Sequence, residues 1–271
     1  MKMTTLMGAS LTALLLAGCA ATSTEGLAPA EAPLPPPIVE TDTTADAINA
    51  ALLNENRRDD YVERDAVRKP EAVIQYMGIE PGDSILELEA GGGYFTQIFS
   101  YFLGEEGKVY MQNPASFDSF FGDDFWTFVG TMENVEYVKT DFDKIPLEDG
   151  SVDVVTWFQG PHELWYTPEG GPIVSEIDAV FPEIYRVLKP GGAFYALDHT
   201  APAGAAATTG GDTHRIDPQI VKDMAATAGF TFAGETELFA NEGDDLDVNV
   251  FDESVRGKTD QFFLKFEKPA G

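Results

Sequence analysis

Ser84-Ile85-Leu86-Glu87-Leu88-Glu89-Ala90-Gly91-Gly92-Gly93-Tyr94 runs from a short apolar segment through three glycines into a segment of helical character. Pro81-Gly82-Asp83 ahead of it is a turn, Ser84 to Leu88 reads as a strand, and Tyr94 to Leu103 as an amphipathic helix. Outward from that unit the alternation repeats. Strands are expected at Lys108 to Gln112, Val135 to Lys139, Val152 to Phe158, Ala193 to Asp198, Thr231 to Leu238 and Gln261 to Lys265. Helices are expected around Phe117 to Val129, at Ile173 to Leu188 and at Pro218 to Ala228. Parallel neighbours need long crossovers, so this order predicts an α/β fold, a doubly wound, seven-stranded and mostly parallel sheet with helices on both faces. Upstream, Ala47 to Arg68 reads as one helix and Pro70 to Met77 as another, an N-terminal helical extension at one sheet edge.

In an open α/β sheet, ligands bind beyond the carboxyl ends of the strands, and the first strand-to-helix loop comes closest to them. Glycine there lets backbone approach a ligand with no Cβ in the way. Further carriers of chemistry follow: Arg68-Lys69-Pro70-Glu71, Val187-Leu188-Lys189-Pro190-Gly191-Gly192, Asp198-His199, His214-Arg215-Ile216-Asp217 and Arg256-Gly257-Lys258-Thr259-Asp260-Gln261. With the glycine loop, these resemble the class I S-adenosylmethionine-dependent methyltransferases, whose fold is Rossmann-like. The last two segments resemble more narrowly bacterial exported proteins described as predicted methyltransferases. The resemblance covers nearly all of residues 46–268.

That resemblance implies S-adenosylmethionine as cofactor and a last strand inserted antiparallel. It implies that Glu87 is the acid ending the first strand and that Ala90, Gly91 and Gly93 belong to the cofactor loop. Glu89 stands where the first glycine is usual, which puts a carboxylate near the methionyl end of the cofactor. Asn113, with Gln112, stands where an acid usually takes the ribose hydroxyls. Asp141 and Phe142 match an adenine site, and Phe158 ends the fourth strand beside the cofactor.

Catalysis is expected after strand four, at His162 and Glu163, and at His199 at the end of strand five. Methyl transfer is an in-line displacement that depends on positioning, with a base needed only for a protonated nucleophile. Histidine suits that role near neutral pH. His214 and Arg215 are candidates for holding substrate, in a segment that looks like a lid over Thr200 to Asp212. The three histidines match no compact metal motif in spacing, so no metal is expected. The aromatic run Phe117, Phe120, Phe121, Phe125, Trp126 and Phe128 reads as the buried face of one helix.

At the N-terminus, Lys2 precedes an apolar run too short to span a bilayer, ending in Leu16-Ala17-Gly18-Cys19, which resembles a bacterial lipobox. Residues 1–18 are therefore expected to be a lipoprotein signal peptide and Cys19, the one cysteine of the chain, the lipidated residue. Residues 19–45, rich in Ala, Pro and Thr, read as a flexible tether. The expected location is the bacterial envelope, facing the periplasm, held to the membrane only through the lipid. Ala20 after the cysteine points to the outer membrane by the enterobacterial sorting rule.

The formal net charge is -29, an excess of acid that repels nucleic acid and argues for a small-molecule substrate. Three functions fit: a methyltransferase with a small acceptor, a ligand- or partner-binding module on the same fold, and a metal-dependent or hydrolytic enzyme using His162, His199 and His214. The second draws weight from the cytoplasmic origin of the methyl donor.

Overall fold

The computed structural model describes residues 43–166 and 175–271. The expected signal peptide, Cys19 and all but the last residues of the tether lie outside the described residues. Among the described helices none is long and apolar enough to cross a membrane.

Seven strands, β1 (Ser84–Leu88), β2 (Lys108–Asn113), β3 (Val135–Lys139), β4 (Val152–Phe158), β5 (Leu188–His199), β6 (Thr231–Thr236) and β7 (Gln261–Glu267), form one sheet in the order β3-β2-β1-β4-β5-β7-β6. The first five are parallel, and β7 runs antiparallel to both β5 and β6. This is the expected doubly wound sheet. Its order reverses between β1 and β4, which opens a crevice at their carboxyl ends.

Strand periodicity assigns the faces. Leu86 and Leu88 of β1, Val155 and Trp157 of β4, and Phe194 and Ala196 of β5 belong to a core built with α7 (Ile177–Val187) and α9 (Pro218–Ala228). Ile85, Val154, Phe158, Tyr195 and Leu197 belong to the opposite core, built with α1 (Thr43–Leu52), α4 (Pro70–Met77) and α5 (Tyr94–Leu103). The same parity turns Glu87 toward α5 and sends the neighbours Asp198 and His199 to opposite faces.

Several boundaries differ from expectation. The extension is not one helix over 47–68 but α1, α2 (Asp59–Val62) and α3 (Asp65–Arg68), and α1 starts at Thr43 inside the expected tether. Arg57 explains the fold-back: its guanidinium is buried, donates to Leu52 O at 3.0 Å and pairs with Asp65 at 2.7 Å. The aromatic run is not one buried helix either. Gly122 separates a 3-10 turn at Ala115–Phe120 from α6 (Asp123–Val129), leaving Phe120 77% and Trp126 42% exposed while Phe125 is buried. Within the expected lid, α8 (Thr209–Thr213) is docked: a Cβ on Gly210 or Gly211 would overlap the carbonyls of His162 or Trp165.

Candidate functional site

Two cavities adjoin at the carboxyl ends of β1, β4 and β5. The first, about 280 Å³, is lined by the loop from Glu87 to Gly92 together with Tyr61, Arg64, Arg68, Tyr94, Phe95, Phe117, Phe158 and Gln159. Gly91 has φ +57°, and nothing stands within 4 Å of where its Cβ would be, so backbone faces open space. The second, about 450 Å³, shares Arg64, Arg68, Phe95 and Gln159 with the first. It is completed by His199 and by Val250, Phe251, Arg256, Thr259 and Gln261.

Glu87 is buried against α5, where its Oε2 accepts from Thr96 Oγ1 at 2.5 Å. Burial pushes its pKa up to about 8, against the opposing pull of that bond and of the Arg68 charge. Burial likewise lowers Arg68, to about 10, so it stays charged at neutral pH. Glu89 holds φ 51°, its N–H bound to Gln112 Oε1 at 2.9 Å. Its carboxylate is tied to the fourth strand: Oε2 accepts from Trp157 Nε1 at 2.9 Å, and burial followed by the Glu163 charge raises its pKa. Gly160 makes room for this contact, since a Cβ there would overlap the Trp157 indole nitrogen.

Asn113, expected at the ribose, is fully buried and grips Gly91 from both ends, Oδ1 accepting from its N–H at 2.8 Å and Nδ2 donating to its carbonyl at 3.1 Å. Gln112 does the same for Glu89 and Thr140. These amides fix the loop and do not line the cavity. Phe142, expected over adenine, is packed in the core with its ring centroid 4.9 Å from that of Trp157, and Asp141 lies 3.6 Å from Lys144. The aromatic residue on the cavity wall after β2 is instead Phe117. Ala90 and Phe158 do line the first cavity, while Gly93 caps α5 at φ 89°.

The expected catalytic residues attach on two sides of the end of β5, yet the His162 and His199 rings stay neighbours, their centroids 6.2 Å apart. His199 lines the second cavity, its Nδ1 2.8 Å from Thr259 Oγ1, and burial lowers its pKa to about 4. His162 and Glu163, on the turn Pro161–Trp165, lie on the other side of β5, where Asp198 points. Asp198 accepts from the His162 N–H and meets Nδ1, both at 2.8 Å. Burial opposes a charge on His162, but Asp198 and Glu163 outweigh it and raise its pKa to about 10. Glu163 is held down at about 2: burial would raise it, and the bonds to His162 and His214 prevail.

Arg215 does not hold substrate, which corrects the sequence expectation. Its side chain is fully buried, pairs with Asp244 through both terminal nitrogens at 2.7 and 3.0 Å, and donates to the Val248 and Thr200 carbonyls. His214 joins the His162 cluster, with its ring against Phe251 at 4.9 Å. Sequence reading missed Gln159, which sits at φ 59° where both cavities meet, and Arg64. Neither carries a local signal, because a left-handed φ at Gln159 and the turn between α2 and α3 that brings Arg64 to the cavity rim show only in three dimensions.

Residues 116–196 match the family described as Methyltransferase domain. The ubiquinone/menaquinone biosynthesis C-methyltransferase UbiE of Escherichia coli is 30% identical over 192 residues, which is 71% of this chain and 66% of that protein. The chain thus spans slightly less than two thirds of that relative. A SAM-dependent methyltransferase from Aquifex aeolicus superposes with a TM-score of 0.54 at 22% identity, over 76% of this chain and 92% of the other. The cyclase SpnF superposes with a TM-score of 0.56 at 16% identity, over 84% and 94%. With its strand order and glycine loop, the chain shares the Rossmann-like fold of these methyltransferases.

Proposed function

We propose that the chain binds S-adenosylmethionine in the first cavity and transfers its methyl group to a small acceptor in the second. The observation that carries this reading is the pair of adjoining cavities at the sheet's reversal point, joined by Arg64, Arg68, Phe95 and Gln159. The donor set suits the cofactor: a buried carboxyl at Glu87 for an ammonium, Arg64 and Arg68 for a carboxylate, and bare backbone at Gly91. When bound, the cofactor supplies an electrophilic methyl group. The chain's own task is to hold acceptor and donor in line and to exclude water.

His199 is the residue suited to take a proton from the acceptor. Its low pKa keeps the ring neutral at physiological pH, so it can accept without first losing a proton. Phe239, Val250 and Phe251 give the second cavity an apolar wall, and Arg256 a cation. The similarity to a C-methyltransferase adds support for transfer to a small molecule. Titration calorimetry of the purified chain with S-adenosylmethionine and S-adenosylhomocysteine is expected to show saturable binding, and no binding at millimolar ligand would overturn the reading.

The location belongs to the same proposal. A lipid on Cys19 would tether the domain to the outer membrane, facing the periplasm, through residues 19–45, in keeping with the resemblance to exported methyltransferase-like proteins. Metabolic labelling with an alkyne fatty acid is expected to tag the wild-type chain in the membrane fraction. Cys19→Ala should lose the tag; label retained by that variant would remove the anchor from the proposal.

A further inference from the structure

We infer that His162, Glu163 and His214 form a site for one divalent cation of the zinc class, next to the His199 ring of the second cavity, whose centroid is 6.2 Å from that of His162. The inference rests on where three lone-pair atoms converge. His162 Nε2 is 3.2 Å from His214 Nδ1 and 3.2 Å from Glu163 Oε1, and His214 Nδ1 is 3.4 Å from the same oxygen. Zinc–nitrogen and zinc–oxygen bonds of about 2.0–2.2 Å in a tetrahedron place neighbouring ligand atoms roughly 3.3–3.5 Å apart. The triangle has the edge lengths of one face of that tetrahedron.

With Glu163 ionised, protons satisfy at most two of the three edges at a time. Each imidazole nitrogen offers a single in-plane position, either an N–H or a lone pair. If the His162 Nε2–H serves the His214 nitrogen, the His214 lone pair faces the ionised Glu163 oxygen. If both nitrogens carry hydrogen to serve Glu163, two N–H groups face each other. A cation at the centre removes the conflict on all three edges.

The surroundings are arranged accordingly. Asp198, fully buried, meets His162 Nδ1 at 2.8 Å, which fixes the ring so that Nε2 points into the triangle. A carboxylate behind a ligating histidine is a recurrent support of zinc sites. His214 is held at φ 56°, a strained conformation for histidine. Its helix α8 reaches the Pro161–Trp165 turn only because Gly210 and Gly211 allow backbone contact. Two histidines and a glutamate leave the fourth coordination position to water or a ligand, as in catalytic zinc sites.

The test uses the full chain, stripped with a chelator and titrated with Zn(II), and with Co(II) as a visible probe. One equivalent per chain is expected, with the absorption of four-coordinate cobalt bleached by zinc. Glu163→Gln and His214→Ala are expected to weaken binding by at least about 100-fold, and Asp198→Asn by about 10- to 100-fold. His199→Ala, outside the triangle, should retain it. Should a variant fail to fold, the wild-type titration decides by itself: no stoichiometric four-coordinate cobalt overturns the inference, as does undiminished binding in the folded Glu163 and His214 variants.

Discussion

Glu87→Gln is expected to make the fold more stable and the first cavity a poorer host for a methyl donor, with both effects growing as pH rises. Burial holds the Glu87 pKa at about 8 in the folded chain, against an ordinary 4.5. Between those values the folded chain keeps a proton that the unfolded chain has released. The stability this lends is complete below about pH 4.5 and is lost as pH rises toward 8. Each pH unit across that interval is worth about 1.4 kcal/mol, so about 5 kcal/mol bounds the effect and about 2–3 kcal/mol is expected after relaxation of the site. Glutamine does not ionise and escapes the loss. Denaturant unfolding should therefore show the variant equal to wild type near pH 5 and more stable by that amount at pH 8.5; equal stabilities at both would contradict the buried, protonated carboxyl.

The binding arm has the opposite sign. An ammonium needs the ionised carboxylate, so the wild-type affinity for S-adenosylhomocysteine should climb between about pH 5.5 and 7.5, by up to about tenfold per unit. Losing a charge-assisted hydrogen bond costs about 1.5–3 kcal/mol, and Glu87→Gln should bind about 10- to 150-fold more weakly at pH 7.5, with a flat pH profile. Calorimetry across pH separates the outcomes, and a wild-type affinity independent of pH would remove Glu87 from the donor site.

Arg215→Met is expected to carry the largest cost to stability. Arg215 and Asp244 are both fully buried, and Asp244 also accepts from the Asp260 N–H at 2.7 Å. Removing the guanidinium leaves a carboxylate sealed in the protein and frees the Val248 and Thr200 carbonyls, a loss of about 3–5 kcal/mol. For a domain of this size, that lowers the melting temperature by roughly 6–20 °C. Adding Asp244→Asn should recover part of the loss, because the stranded charge dominates it. A melting temperature within 2 °C of wild type, on the order of half a kcal/mol, would show the pair to be dispensable.

This residue also marks a limit of reading side chains by type. An arginine in an acidic chain looks like an anion receptor, yet Arg215 ties the segment after β5 to the loop ahead of β7 through a partner 29 residues away. The Glu89 carboxylate is comparable. Its place in the glycine loop was plain, whereas its turn onto Trp157 depends on Gly160, 71 positions further along the chain.

Local order was open to reading because it is written in short-range periodicity. The limits of β1, β3, β4, α4, α5 and α9 and the glycine loop follow from alternation, punctuation and the reach of the backbone, whereas the antiparallel last strand is what the family resemblance implies. Side-chain company does not, because it depends on which face a strand end presents and on what packs there. Parity at the end of β5 sends His199 to the second cavity and Asp198 to His162, and so gives neighbouring histidines different partners. The chain's residues place the glycine loop at the carboxyl end of β1; the sheet order sets β4 beside it, and the packing of α5, α8 and the Pro161–Trp165 turn decides the partners of its carboxylates, since burial and long-range contacts are properties of the folded chain alone.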